Sequence, residues 1–341
     1  MDDTAYGKRN KKGDWAPGAY LQTSGLFQWP PRPRALLRWV TGFFWPWNLV
    51  FIALTALTWF FLIPAPESMR DMSLAWIGPL AIGQWLALLV FYGAFEGLLY
   101  RRRSQAARFK YNGKFPAEQP SDVFWFKSQN IDNFIRSFFI TVPIGLVIEV
   151  LLLWSYANDR MPAVGTDQLG WSLLAWVFLT AFIHEAHFFA IHRAIHTDTL
   201  YRWVHSVHHN SVNPSPWSSM SMHPVEGVLY FGVACWLIVL PGHPVVAVHF
   251  FTMAAFGAIV GHIGFDRLEL PGGAAPQSHA YAHYLHHKHF EVNYCDNGYL
   301  PLDRWFGSWH DGSPEGERLM QARYQAKVAR LNAQRDVSGG R

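Results

Sequence analysis

The chain has 341 residues, of which 50% are hydrophobic, 16% aromatic and 15% charged. Soluble proteins carry about 25% charged residues; here the apolar residues fall in long blocks, which excludes an ordinary soluble domain and argues for an integral membrane protein. The net charge of +4 is too localised to suggest nucleic acid, and two cysteines, Cys235 and Cys295, leave no disulfide framework and no cysteine-based zinc or iron–sulfur site.

In chain order, residues 1–40 read as a polar, Pro-rich cytosolic arm. Its first twelve residues lack an apolar core, so no cleavable signal peptide is expected. Pro30-Pro31-Arg32-Pro33-Arg34 is expected to be non-helical. Four apolar spans follow at roughly 44–63, 74–100, 136–157 and 169–190, each close to the ~20 residues that cross a bilayer. Two shorter runs, Val225–Leu240 and Val245–Ile263, carry His249 and His262. They read as a thin spanning pair, a re-entrant hairpin or buried core helices. The fold class is therefore all-α integral membrane: a four-span helical bundle, this short helix pair, and a cytosolic histidine-rich helical cap. The expected partition is 1–40 arm, 41–134 first two spans and basic loop, 135–310 di-metal domain, and 311–341 polar tail.

Charge sets the orientation. Lys8, Arg9, Lys11, Lys12, Arg32, Arg34 and Arg38 precede the first span, and Arg101, Arg102, Arg103, Arg108, Lys110, Lys114 and Lys127 follow the second. The opposite loops hold only Arg70 and Arg160. The positive-inside rule puts the first group and its partner loop in the cytosol, so the fourth span delivers its end to the cytosolic face. Glu96 is expected at the interface, and Glu149 is an intramembrane acid with no assignable partner.

All 17 histidines lie at or beyond residue 184. Eight form three clusters: His192-Arg-Ala-Ile-His196, His205-Ser-Val-His208-His209 and His283-Tyr-Leu-His286-His287. Spacings of three and four residues place side chains on one helix face, and imidazole suits iron, zinc, copper or nickel. Eight imidazoles exceed the needs of one tetrahedral zinc, so the count points to two metals. His262 is a plausible ninth ligand. His279 stands four before His283 as either a tenth ligand or a surface residue. Glu185 is expected to accept an N–H from a ligating imidazole. His223 reads as a group behind a ligand or in a substrate pocket, and His243, His249, His289 and His310 read as structural. The HExxH zinc-protease helix fails, because Phe188 follows His184-Glu185 where the second histidine should stand. A haem held by histidines thirteen apart would need a buried helix, yet Arg193, Asp198 and Arg202 make that segment polar.

HRAIH, HSVHH, HPVE and HYLHH, followed by Asn293-Tyr294 and Asp303-Arg304-Trp305-Phe306-Gly307, resemble the fatty acid hydroxylase/sterol desaturase superfamily over roughly residues 135–310. The resemblance implies two irons at the cytosolic membrane face, held by His192, His196, His205, His208, His209, His283, His286 and His287, with His262 as an additional ligand. It implies an O2-dependent oxidoreductase that hydroxylates or desaturates an acyl chain or sterol-like lipid in the bacterial inner membrane or the ER membrane. Electrons would come from an external ferredoxin, cytochrome or reductase. The chain departs from the family at Glu185, where Asp is common, and at Ala258, where some members carry a second histidine. Two rival readings are a zinc-dependent membrane hydrolase, for which Glu226 is the candidate acid or base, and a non-catalytic metal or haem membrane protein.

Overall fold

The computed structural model describes residues 1–164, 169–295 and 298–339; residues 340–341 of the expected tail lie outside them. Two short strands, β1 (Gly7–Arg9) and β2 (Trp15–Pro17), pair antiparallel in the arm. The rest is helical: α1 (Pro33–Phe43), α2 (Leu49–Leu62), α3 (Leu74–Phe95), α4 (Gln129–Ile135), α5 (Val142–Ala157), α6 (Leu169–Ile195), α7 (Asp198–Leu200), α8 (Ser206–His209), α9 (Pro224–Phe231), α10 (Pro244–His262), α11 (Tyr281–His289), α12 (Leu302–Trp305) and α13 (Pro314–Gly339). The protein is an all-α integral membrane protein. Among the described residues, five helical runs are long and apolar enough to cross a bilayer: Pro33–Leu62, Leu74–Arg101, Gln129–Ala157, Leu169–Ile195 and Pro244–His262.

Two local departures from the sequence reading have simple causes. Helix α1 begins at Pro33, inside the stretch expected to be non-helical, because proline at the first helical position has no N–H to leave unsatisfied. The run then kinks at Trp45, whose backbone is extended (φ −99°, ψ 131°), just before Pro46. The expected polar tail is largely the helix α13.

The short pair left open by the sequence runs the height of the bundle. Glu226, in the first turn of α9, bonds His205, and His262, at the end of α10, meets His208, so the pair starts and finishes at the histidines. Its far turn pairs with the α5–α6 loop, through Gly242 N–H to Pro162 O and Val164 N–H to Gly242 O. That loop region in turn meets the α2–α3 loop, where Trp154 and Asn158 donate to Arg70 O. Helix α10 is the central post. Its most apolar window is 83% buried, against 22% for each of the first two runs. The intramembrane acid Glu149 has a partner after all: Gln84 Nε2 donates to its Oε1 at 3.0 Å. Glu96, expected at the interface, is buried at 3% exposure and bonded to Ser215 and the Trp217 backbone.

The basic loop and the arm are tied to the histidine-bearing layer. Trp15 (1% exposed) packs with Phe109, Tyr111, Tyr281 and Leu285, and Tyr111 N–H donates to Gly264 O. Between them Lys110 is buried, its ammonium 5.2–5.7 Å from the rings of Tyr100, Phe115 and Phe265 and 3.3 Å from Asn213 Oδ1. Burial pulls its pKa from the ordinary 10.5 down to about 7, with Asp14 opposing. The unfolded chain therefore binds more protons than the folded one between pH 7 and 10.5. Stability should rise with pH across that window, by at most about 1.4 kcal/mol per unit, and the full burial cost is present below pH 7. Tm measured from pH 7 to 10 should show this rise in the wild type and lose it in Lys110→Met. Parallel pH profiles for the two proteins would refute it.

Candidate metal centre

Four segments bring the histidines together. Helix α6 carries His192 in its last turn, and His196 follows just past its end. The helical turn between α7 and α8 presents His205, and α8 presents His208 and His209. Helix α10 contributes His262 from its last position, and α11 contributes His283, His286 and His287. The nine expected ligands fall into two sets: His192, His196, His205, His209 and His286 in one, and His208, His262, His283 and His287 in the other. Within each set the candidate nitrogens lie within 4.8 Å of one another, and all nine rings are buried except the half-buried His196.

The rings are aimed. Five Nδ1 atoms point outward to acceptors: His192 to Tyr294 O (2.9 Å), His286 to Val292 O (2.7 Å), His262 to Ala258 O (2.9 Å), His208 to Ser221 O (3.4 Å) and His205 to Glu226 Oε1 (2.8 Å). Donating there puts the proton on Nδ1 and leaves Nε2 as an inward lone pair. In the four-membered set, His262 Nε2 faces Nε2 of His208 at 3.1 Å, His283 at 3.2 Å and His287 at 3.3 Å. In the other, His209 Nε2 lies 3.1 Å from His286 Nε2 and 3.2 Å from His196 Nε2. Converging lone pairs repel unless a cation sits among them. Four nitrogens held tetrahedrally at about 2.0–2.1 Å from one ion are about 3.3 Å apart, so the donor set fits a metal. In addition, Nε2 of His192 and of His205 is buried without a hydrogen-bond partner among the described residues. Burial first, then the neighbouring imidazoles, pushes the pKa of His196 down to about 2 and holds His205, His209, His286 and His287 well below the usual range. These five rings are thus neutral, the form that binds metal.

Residues 177–308 match the family model for fatty acid hydroxylase. This stretch is a fatty acid hydroxylase domain. The chain is 27% identical over 205 residues to a Delta(7)-sterol 5(6)-desaturase of Gibberella zeae, covering 58% of this chain and 61% of that protein. It is 25% identical over 234 residues to sphinganine C4-monooxygenase 1 of Arabidopsis thaliana, covering 66% and 85%. It is 32% identical over 159 residues to lathosterol oxidase of Rattus norvegicus, covering 45% and 52%. The chain thus spans only 61% and 52% of the length of two of these three relatives. No solved structure matches.

The remaining histidines of the hydroxylase domain and its flanks separate cleanly from the two sets. His279 belongs to neither; it lies at the mouth of a cavity beside them. His223 and His243 cap α9 and α10, each accepting a backbone N–H two residues on through Nδ1. His249 bonds Thr55 at 2.9 Å, and His187 bonds Leu229 O. Glu185 accepts from the backbone N–H of Tyr299 and Leu300. The carboxylate seen on a ligand-set imidazole is that of Glu226.

Sequence reasoning missed a third grouping, His289, His310 and Glu317. Its chemistry is that of a pin. His289 Nε2 and Lys288 Nζ both meet Glu317 Oε1, which ties α13 to α11. His310 Nδ1 accepts the Gly312 N–H, leaving the ring proton on Nε2, where a metal would have to bind. It also missed the clamp at Asp303 (2% exposed). This carboxylate accepts the N–H of Tyr294 and of Cys295 and the hydroxyl of Ser308, fixing the Tyr294 carbonyl that orients His192. Asp303 stands in the first turn of the short helix α12, and nothing in the sequence marks it as buried.

Proposed function

We propose that this protein is an O2-dependent di-iron oxidoreductase that hydroxylates or desaturates a membrane lipid at the cytosolic face. The observation that carries the reading is the pair of converging imidazole sets at one end of an apolar helical bundle. The proposed ligands are His192, His196, His205, His209 and His286 for one iron, and His208, His262, His283 and His287 for the other. Two bound irons would supply the O2-derived oxidant needed to break an unactivated C–H bond, with electrons from an external ferredoxin, cytochrome or reductase. The chain's own residues orient the imidazoles, and the chamber they line with Phe188, Met222 and Tyr230 is small, about 10 Å³. Relatives named as sterol desaturase, sphinganine monooxygenase and lathosterol oxidase support the lipid as substrate. We place the di-metal domain at 135–310, wider than the matched stretch. Ser137 Oγ donates to Trp217 O, so the helical turn after α4 braces the loop behind the second histidine cluster.

The test is a comparison of lipid extracts from cells with and without the gene. A product shifted by about +16 or −2 mass units, formed only with O2 and reductant, is expected. An unchanged lipidome, or a product formed without O2, would reject the oxygenase in favour of a zinc hydrolase or a binding protein. Orientation is tested separately. A cysteine at Ser104 should resist an impermeant label applied to intact cells, and one at Asp159 should react. Labelling of position 104 from outside would reverse the topology.

A further inference from the structure

A second cavity, of about 280 Å³, opens where the arm and α1 lie against α10 and the loop after α11. Its mouth is polar: Gln22, Arg38, Gln277 and His279 line it and are exposed. Its depth is apolar, with Phe43, Phe51, Met253 and Val260 all buried. Among the described residues no carboxylate pairs with Arg38, whose guanidinium bonds only the Arg34 carbonyl of its own helix. The acid on the cavity wall, Asp303, is already occupied by two backbone amides and the Ser308 hydroxyl. One more donor is unspent: Trp309, also on the wall, has a buried indole N–H with no hydrogen-bond partner among the described residues.

The inner end backs onto the metal centre. Ala282 precedes His283, and Val260 stands two before His262. The His184 ring lines the cavity, stacks on Phe188 at 6.1 Å between centroids and meets Tyr230 edge-on at 5.7 Å. Phe188 and Tyr230 in turn line the chamber at the histidines. An aromatic partition therefore separates the cavity from the metals.

We propose that this cavity binds a single-chain lipid with an anionic headgroup, carboxylate or phosphate, held at Arg38, its chain running inward to the His184–Phe188 partition. Arginine presents donors only and matches an anionic oxygen pair. A sterol hydroxyl would leave the guanidinium without a counter-charge. The volume, about 280 Å³, lies just below the usual range of ligand pockets, about 300–1,000 Å³, so it has room for one slender chain and not for a bulkier lipid. The proposal deepens the lipid-oxidation reading by naming a substrate class, but it is tested by binding alone.

The experiment is a scintillation-proximity binding assay on the full chain in detergent, with metal content measured in parallel. The probes are tritiated palmitate, hexadecyl phosphate, hexadecanol and cholesterol. Palmitate or hexadecyl phosphate should bind, the tighter of the two identifying the headgroup, and hexadecanol and cholesterol should bind at least about tenfold more weakly. Arg38→Ala should weaken the anionic probe about tenfold, with Arg38→Lys recovering part of the loss. Gly257→Phe should block the depth, since a Cβ there already lies 3.5 Å from the Phe51 ring. Arg38→Ala binding palmitate and hexadecyl phosphate like wild type, or hexadecanol and cholesterol binding as tightly as the anions, would overturn the assignment. Binding without a changed lipidome would leave this site standing and reject the oxygenase; a changed lipidome without anionic-lipid binding would do the reverse.

Discussion

His287→Ala and His262→Ala should each empty one metal site and lower turnover by at least about a hundredfold, while His205→Ala should lose turnover but keep more of its metal. The difference follows from the two donor sets. The four-membered set loses a quarter of its nitrogens when His262 or His287 is removed, and His262 Nε2 is the atom the other three surround. The five-membered set still offers four nitrogens after His205 is removed. Loss of a group that merely orients a ligand typically costs 10–100-fold in affinity or activity, so loss of a ligand should cost more. His243→Ala and His310→Ala should retain both metals and activity, because the first caps α10 at the far end of the bundle and the second receives a backbone N–H beside α13. Metal analysis of purified variants, paired with product formation, reads both quantities. If His287→Ala still held two ions per chain, the four-membered set would not be a metal site.

Much of this site was legible in the sequence because its first layer is local. Spacings of three and four, from His205 into α8 and within α11, put the histidines of each cluster on one helix face, and that periodicity survives without any knowledge of the fold. What orients them is not local. The carbonyl that aims His192 belongs to Tyr294, 102 residues away, and is held in turn by Asp303. No spacing rule reaches such a pair.

The same limit applies to the bundle. The four long spans were readable from apolar length alone. Helix α10 was ambiguous because a run of that length fits a buried core helix as well as a crossing one, and its 83% burial shows it is enclosed by its neighbours. Glu149 looked unpartnered because Gln84 lies two helices earlier in the chain. Where the arm attaches was not legible for a different reason. Its composition is polar, but Trp15 and the Asp3 carboxylate, which accepts the Phe109 N–H, fasten it to the layer that carries α11. One buried aromatic outweighs many exposed lysines in fixing where a segment lies, since burial of a large aromatic side chain contributes about 1.5–3 kcal/mol.

Glu226→Ala should weaken metal binding at the five-membered set about 10–100-fold and leave the four-membered set unchanged. Glu226 is 4% exposed and its Oε1 lies 2.8 Å from His205 Nδ1. It sits in the first turn of α9, where the helix dipole favours a negative charge. Removing it strands a buried N–H and frees the ring of His205 to rotate or to change tautomer. Glu226→Gln keeps an acceptor oxygen without the charge, so its affinity should fall between wild type and Glu226→Ala. The two substitutions also separate an orienting role from a catalytic one. Were Glu226 the acid or base of a hydrolase, Glu226→Gln would keep both metals at full affinity and still lose turnover. With Glu226 acting through His205, turnover should instead track metal occupancy and recover when metal is supplied in excess. Chelator competition against each variant, with product formation followed at rising iron, measures both; full metal affinity in Glu226→Ala would show that the contact to His205 does not support the site.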